Sequence, residues 1–170
     1  MLAVFKNTGL KFLVLSLVFV VLDQVIKLWI INSLNLYQDI NVLPIFDITH
    51  VRNYGAAFSF LSDAGGWQRY FFTTIAIVVS VLLTYWMYQT PTQQKLLLTS
   101  YALILGGAIG NVMDRINYGY VVDFIHFYYE NWSFPAFNVA DIAISIGAFL
   151  LIVDAIFEQK NQTKDSEEQA

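Results

Sequence analysis

The chain has 170 residues, of which 57% are apolar and only 13% charged, against about 25% charged in an average soluble protein. Its mean hydropathy of +0.55 and aromatic share of 16% exclude disorder for most of its length and make a bilayer the natural solvent. Cysteine is absent and the net charge is −4, which excludes disulfides, zinc–thiolate sites, thiol nucleophiles and a basic nucleic-acid surface.

A helix needs about 20 apolar residues to cross a bilayer. Four stretches meet this, near Phe12–Ile31, Arg69–Tyr88, Leu96–Met113 and Phe137–Phe157. The first begins like a secretory signal, with Lys6 and Lys11 before an apolar run. It then continues through Asp23 and Lys27 into Leu28-Trp29-Ile30-Ile31 with no small-residue cleavage site, so a retained transmembrane helix is expected. Lys6, Lys11, Lys95, Lys160 and Lys164 fall at one set of span ends. Lysine bias of this kind marks the cytoplasmic side and predicts both termini inside. Trp29, Trp67 and Trp132 then sit near the outer ends, where interfacial aromatics belong.

The segment 32–68 alternates apolar and polar residues from Asn41 to Arg52. Period two predicts short strands at the membrane surface, an outer cradle between helices 1 and 2. The second outer segment, Asp114–Ala136, is aromatic-rich, and the tail 158–170 is Gln/Lys/Glu-rich and is expected to fray. The expected fold is thus an all-α membrane protein with four transmembrane helices and a small β-rich outer segment. It forms a single domain over 1–170.

Ionisable residues in a span are costly and become functional candidates by default. Here they cluster. Asp23 and Lys27 share a helix face, as do Asn111, Asp114 and Arg115. Asn138 and Asp141 open the last span, and Asp123 comes from the outer segment. Asp141 lies about 6 Å into its span at 1.5 Å per residue, so Asp123 and Asp141 can meet near one interface. Two carboxylates sharing a site hold one proton between them, one member serving as base and the other as acid. Spacing alone leaves other readings open. Asp23–Lys27 also reads as a structural ion pair, Asp114–Arg115 as a helix-end anchor, and Asp123 as a solvated loop carboxylate. The Gly106 and Gly110 pair reads as close helix packing. His50 and His126 lack a serine elbow and make a thin metal-ligand set; His126 is expected to cap or pack among aromatics. A proton-conducting transporter or a membrane scaffold remains a rival to a hydrolase, although no internal repeat or broken midplane helix is visible.

The motifs together carry a resemblance. Asp23-Gln24-Val25-Ile26-Lys27, then Arg52-Asn53-Tyr54-Gly55-Ala56-Ala57-Phe58, then Gly106 to Arg115 with Gly119 to Phe124, and finally Phe137-Asn138-Val139-Ala140-Asp141 occur in order. This series resembles the bacterial lipoprotein signal peptidase (signal peptidase II) family over nearly the whole chain apart from the tail. The resemblance implies a membrane-embedded aspartic endopeptidase that acts on diacylglyceryl-modified prolipoproteins and cuts just before the lipidated cysteine. It maps the catalytic dyad onto Asp123 and Asp141, and substrate contacts onto Asn53, Asn111, Arg115 and Asn138. Asp23, Lys27, Gly55 and Asp114 map onto supporting positions. No metal and no cofactor are implied. Expected partners are lipid-modified prolipoproteins and membrane lipids, with no nucleic acid and a monomeric state. The expected location is the bacterial inner membrane, multi-pass, with the active site near the periplasmic face.

Overall fold

The computed structural model describes residues 8–55 and 66–168. Lys6, Asp63, the Ala56, Ala57 and Phe58 part of the second motif, and the side chains of Lys160 and Lys164 lie outside the described residues. A 3-10 turn, Gly9–Phe12, leads into α1 (Leu13–Ser33). Then come β1 (Asp39–Leu43), β2 (Phe46–Asn53), α2 (Trp67–Gln89), α3 (Lys95–Asn117), β3 (Val121–Tyr129), β4 (Trp132–Ser133) and α4 (Val139–Glu168). Among the described residues, four stretches are long and apolar enough to cross a membrane: Gly9–Ser33, Trp67–Gln89, Lys95–Asn117 and Val139–Gln159.

α3 is the central helix and packs against the other three. Apolar side chains gain little from leaving lipid, so close backbone approach must supply the attraction. The glycines of α3 permit it. A Cβ on Gly106 would lie 2.8 Å from the Ser16 carbonyl of α1, and one on Gly107 would strike the Ala140 carbonyl of α4. One buried cluster, Leu83, Met87, Leu98, Ala102 and Leu105, joins α2 to α3. A second, Ile30, Leu34, Val122 and Phe124, joins the end of α1 to the sheet.

The strands form one antiparallel sheet in the order β1-β2-β3-β4. The expectation of β structure only between helices 1 and 2 is therefore corrected, because β3 and β4 come from the second outer segment. The run Val121-Val122-Asp123-Phe124 is buried on both faces, so it shows no apolar–polar alternation to betray a strand. Asp123 is accordingly a strand residue and not a solvated loop carboxylate. The tail differs too: the backbone stays helical to Glu168. Residues 158–168 are mostly good helix formers, with no Gly or Pro to stop the helix.

Gly119 ends α3. It takes φ +85°, and its N–H bonds the Arg115 carbonyl while that of Tyr118 bonds the Asp114 carbonyl. A left-handed residue just past a helix suits glycine. This stop turns the chain directly into β3 and brings Asp123 back beside the helix that carries Asn111 and Asp114.

Candidate active site

The site is built on a buried ammonium. Lys27 is 1% exposed and its Nζ lies 2.8 Å from Asp23 Oδ2 and 2.9 Å from Asp114 Oδ2. It donates a third bond, 3.0 Å, to Asn111 Oδ1. All three ammonium protons thus have acceptors, the condition for burying such a charge. The two carboxylates in turn bind backbone. Asp23 Oδ1 accepts the Ala140 N–H of α4 at 2.9 Å, and Asp114 Oδ2 accepts the Val122 N–H of β3 at 3.0 Å. α1 and α3 therefore fix both the start of α4 and the start of β3. Asp114 is fully buried near the end of α3 and ties that helix end to β3.

Asp123 and Asp141 are brought together by asparagines. Asn138 Nδ2 donates to Asp123 Oδ1 at 2.6 Å, and Asn53 Nδ2 donates to Asp123 Oδ2 at 2.9 Å. Asn111 Nδ2 donates to Asp141 Oδ1 at 2.8 Å. Each amide is locked by a donor on its own carbonyl: Lys27 Nζ on Asn111, the Asp141 N–H (2.9 Å) on Asn138, and the Gly55 N–H (2.8 Å) on Asn53. A flipped amide would lose both bonds. Asparagine donors thus face both carboxylates. Asn138 Nδ2 also reaches Asn111 Oδ1 at 3.3 Å, which ties the two halves together.

Asp123 is 2% exposed. Burial, and next the charge of neighbouring Asp141, push its carboxyl up to about 7, against the pull of Asn53, Asn138 and Lys27. Asp141 is half-buried in the first turn of α4. Arg115 lies in the field of Asp141, Asp123 and Asp114. Its guanidinium sits 5.6 Å from the Phe72 ring centroid, and its buried Nε has no hydrogen-bond partner among the described residues. Gly55, at φ +103°, approaches Phe72 so closely that a Cβ would lie 2.8 Å from that ring.

Asp23, Lys27, Asn53, Gly55, Asn111, Asp114, Arg115 and Asn138 thus gather around Asp123 and Asp141, whereas His50 bonds the Leu34 carbonyl elsewhere. Three groups that join them were not singled out. Gln24 Nε2 donates to Asp114 Oδ1 (2.8 Å) and to the Gly110 carbonyl (3.2 Å); a glutamine beside Asp23 in an apolar span was the available signal. The backbone N–H groups of Val122 and Ala140 carry no side-chain signal at all. His126 stacks on Tyr128 at 5.5 Å and bonds Ser133 Oγ at 2.8 Å, away from the carboxylates.

A family model described as signal peptidase (SPase) II matches residues 15–157. The chain is 56% identical over 168 residues to a lipoprotein signal peptidase of Alteromonas mediterranea, spanning 99% of this chain and 91% of the relative. It is 50% identical over 163 residues to a lipoprotein signal peptidase of Pasteurella multocida, spanning 96% and 98%. Among solved structures, a bacterial membrane enzyme determined by the in meso method at 2.3 Å superposes with TM-score 0.75 at 30% identity, covering 89% of this chain and 90% of that one. Another, at 1.9 Å, gives TM-score 0.70 at 32% identity over 84% and 90%.

Proposed function

The chain belongs to the signal peptidase II family, bacterial multi-pass membrane proteases that remove signal peptides from lipoproteins, and from that premise we propose that it is an aspartic endopeptidase working through Asp123 and Asp141. The observation that carries the proposal is the pair of carboxylates held by three locked asparagine amides where β3 meets the first turn of α4. Their substrates are prolipoproteins bearing a diacylglyceryl group, cut just before the modified cysteine.

The chemistry follows from one shared proton. Asp123, with its carboxyl pushed up to about 7, holds that proton below neutral pH. Ionised Asp141 takes a proton from water, and the water oxygen attacks the scissile carbonyl carbon. Asp123 gives its proton to the carbonyl oxygen, forming a tetrahedral diol with no bond to the enzyme. The carboxylates then exchange roles: the C–N bond breaks, a proton passes to the leaving cysteine nitrogen, and the carbonyl reforms. Asn53 and Arg115 orient substrate carbonyls. The unpartnered Arg115 Nε supplies a donor in a water-poor site, where such bonds are strongest. Asn111 and Asn138 set the carboxylates, while Asp23, Lys27, Gly55 and Asp114 hold the frame.

The lysine asymmetry supports cytoplasmic termini and, with them, a sheet and carboxylates on the periplasmic side of the inner membrane. The enzyme acts as a monomer. Its partners are its lipidated substrates and membrane lipid, and it needs no metal or other cofactor.

The test is cleavage of a purified diacylglyceryl-modified prolipoprotein in detergent, with Asp141→Asn, a chelator-treated sample and the unlipidated precursor alongside. Cutting of the lipidated precursor alone, unaffected by chelator and lost in Asp141→Asn, is the expected result. Cutting that survives in Asp141→Asn but is lost to chelator overturns the aspartic mechanism.

A further inference from the structure

Along β3 the face that carries Asp123 becomes aromatic away from the carboxylate, while Val122 and Phe124 on the other face pack against α1. Alternate residues of a strand share a face, so Asp123, Ile125 and Phe127 point the same way along β3. Their cross-strand partners extend that face: Ile125 is bridged to Phe137, and Phe127 pairs with Phe46. The rings are continuous. Phe127 stacks on Phe137 at 6.1 Å and on Phe46 at 5.0 Å, and Phe134 meets Phe137 edge-on at 5.8 Å. Phe137 directly precedes Asn138, whose amide donates to Asp123. The opposite face is polar there. Asn41 bonds Asp47 (2.9 Å) and the Tyr128 hydroxyl (2.7 Å). A β-bulge in β2 between Ile48 and Val51 lets one sheet serve both patterns.

Phe127 is 39% exposed and Phe134 is 43% exposed, so an aromatic surface stands open four residues along β3 from Asp123, joined to it by the partly buried Ile125 and Phe137. Its occupant must be apolar and must reach the scissile bond. Resting on the function proposed above, we propose that this face, from Asp123 past Ile125 and Phe137 to Phe127 and Phe134, takes an acyl chain of the lipid-modified cysteine. That lipid is attached to the residue immediately after the scissile bond. It therefore leaves the site within one residue of the carboxylates, where this face starts. The contact makes chain length part of substrate recognition, since each buried methylene adds to binding.

The test uses lipobox peptides whose cysteine carries either dioctanoyl or dipalmitoyl glyceryl, cleaved in one detergent by wild type, Phe127→Ser and Phe134→Ser. Both positions are surface residues, and Phe134 lies outside any strand, so at least one variant keeps its fold, checked by thermal melting. The readout is the ratio of kcat/KM for the long-chain over the short-chain peptide. Wild type should favour the long chain by roughly tenfold or more, the worth of a few buried methylenes, through KM and not kcat. Each variant should bring the ratio towards one. A wild-type ratio near one, or variants that lower both rates equally and keep the ratio, overturns the proposal; the latter means that the face only seats the sheet on the bilayer. Failure of wild type to cut either peptide instead overturns the function on which it rests.

Discussion

Asn138 and Asp141 cap each other across the first turn of α4. The Asn138 side-chain oxygen accepts the Asp141 N–H at 2.9 Å, and Asp141 Oδ2 accepts the Asn138 N–H at 3.3 Å. This is a reciprocal capping box, built here with a proposed catalytic carboxylate as one partner. The helix start and the site geometry are therefore one structure, because the Asn138 amide left over from capping is the group that binds Asp123.

Splitting those two duties gives the first prediction. Asn138→Ser keeps a capping oxygen but loses the amide donor. It should keep the cap's share of stability and lose only that of the buried amide bond to Asp123, while cleavage falls by roughly a hundredfold, the scale of a lost positioned donor. Asn138→Ala should lose the same activity and about 1 kcal/mol of stability as well. Melting and cleavage rates measured together check both.

Asp123→Asn and Asp141→Asn should each abolish prolipoprotein cleavage while the protein stays folded in detergent. Both keep side-chain size and exchange one acceptor oxygen for an amide donor among the asparagines, so the proton chemistry is removed with little change in packing. Size-exclusion profile and melting temperature report the fold, and a gel-shift cleavage assay reports the activity.

The pH dependence has a defined sign. Asp123 sits at about 7 in the folded protein and near 3.9 unfolded. Between these values the native state holds a proton that the unfolded state has lost, so stability falls as pH rises from about 4 to 7. Asp123→Asn should flatten that decline and be more stable than wild type above pH 7. The kcat/KM of wild type should fall as pH rises through about 7, when Asp123 loses the shared proton. A melting series and a rate–pH profile check the two halves.

Lys27→Met should be severely destabilising, by about 3–5 kcal/mol, because it leaves Asp23 and Asp114 buried without a counter-charge. Removing a charge from the set, as in Asp23→Asn with Lys27→Met, should recover part of that loss. Salt should change neither result much, since buried pairs are weakly screened. Chemical denaturation at two ionic strengths measures this.

Gly107→Ala should cost about 1–3 kcal/mol, the usual penalty of overpacking. Its Cβ would meet the Ala140 backbone carbonyl, which cannot swing aside. Ala140 supplies the N–H held by Asp23, so activity should fall with stability. Gly66→Ala is the contrast: its Cβ would meet nothing within 4 Å among the described residues, and backbone strain at φ +82° is what remains.

The four spans are legible in the amino-acid order alone, since each is a long apolar run that needs no tertiary context to be recognised. So is the Asp23–Lys27 face, because i and i+4 meet on any helix. The ordered motifs marked every side chain that later proved to surround the carboxylates. Only the tertiary structure decided how they connect. Lys27 reaches Asp114 and Asn111 because glycines let α1 and α3 touch, a distance no local pattern encodes. Strand β3 is buried on both faces at Asp123, so its period was hidden, and its pairing with β2 joins segments about 70 residues apart. The orientation of the three asparagine amides depends on donors from Lys27, Asp141 and Gly55. Two of those donors are backbone N–H groups, which every residue except proline carries alike; only the fold determines where they point.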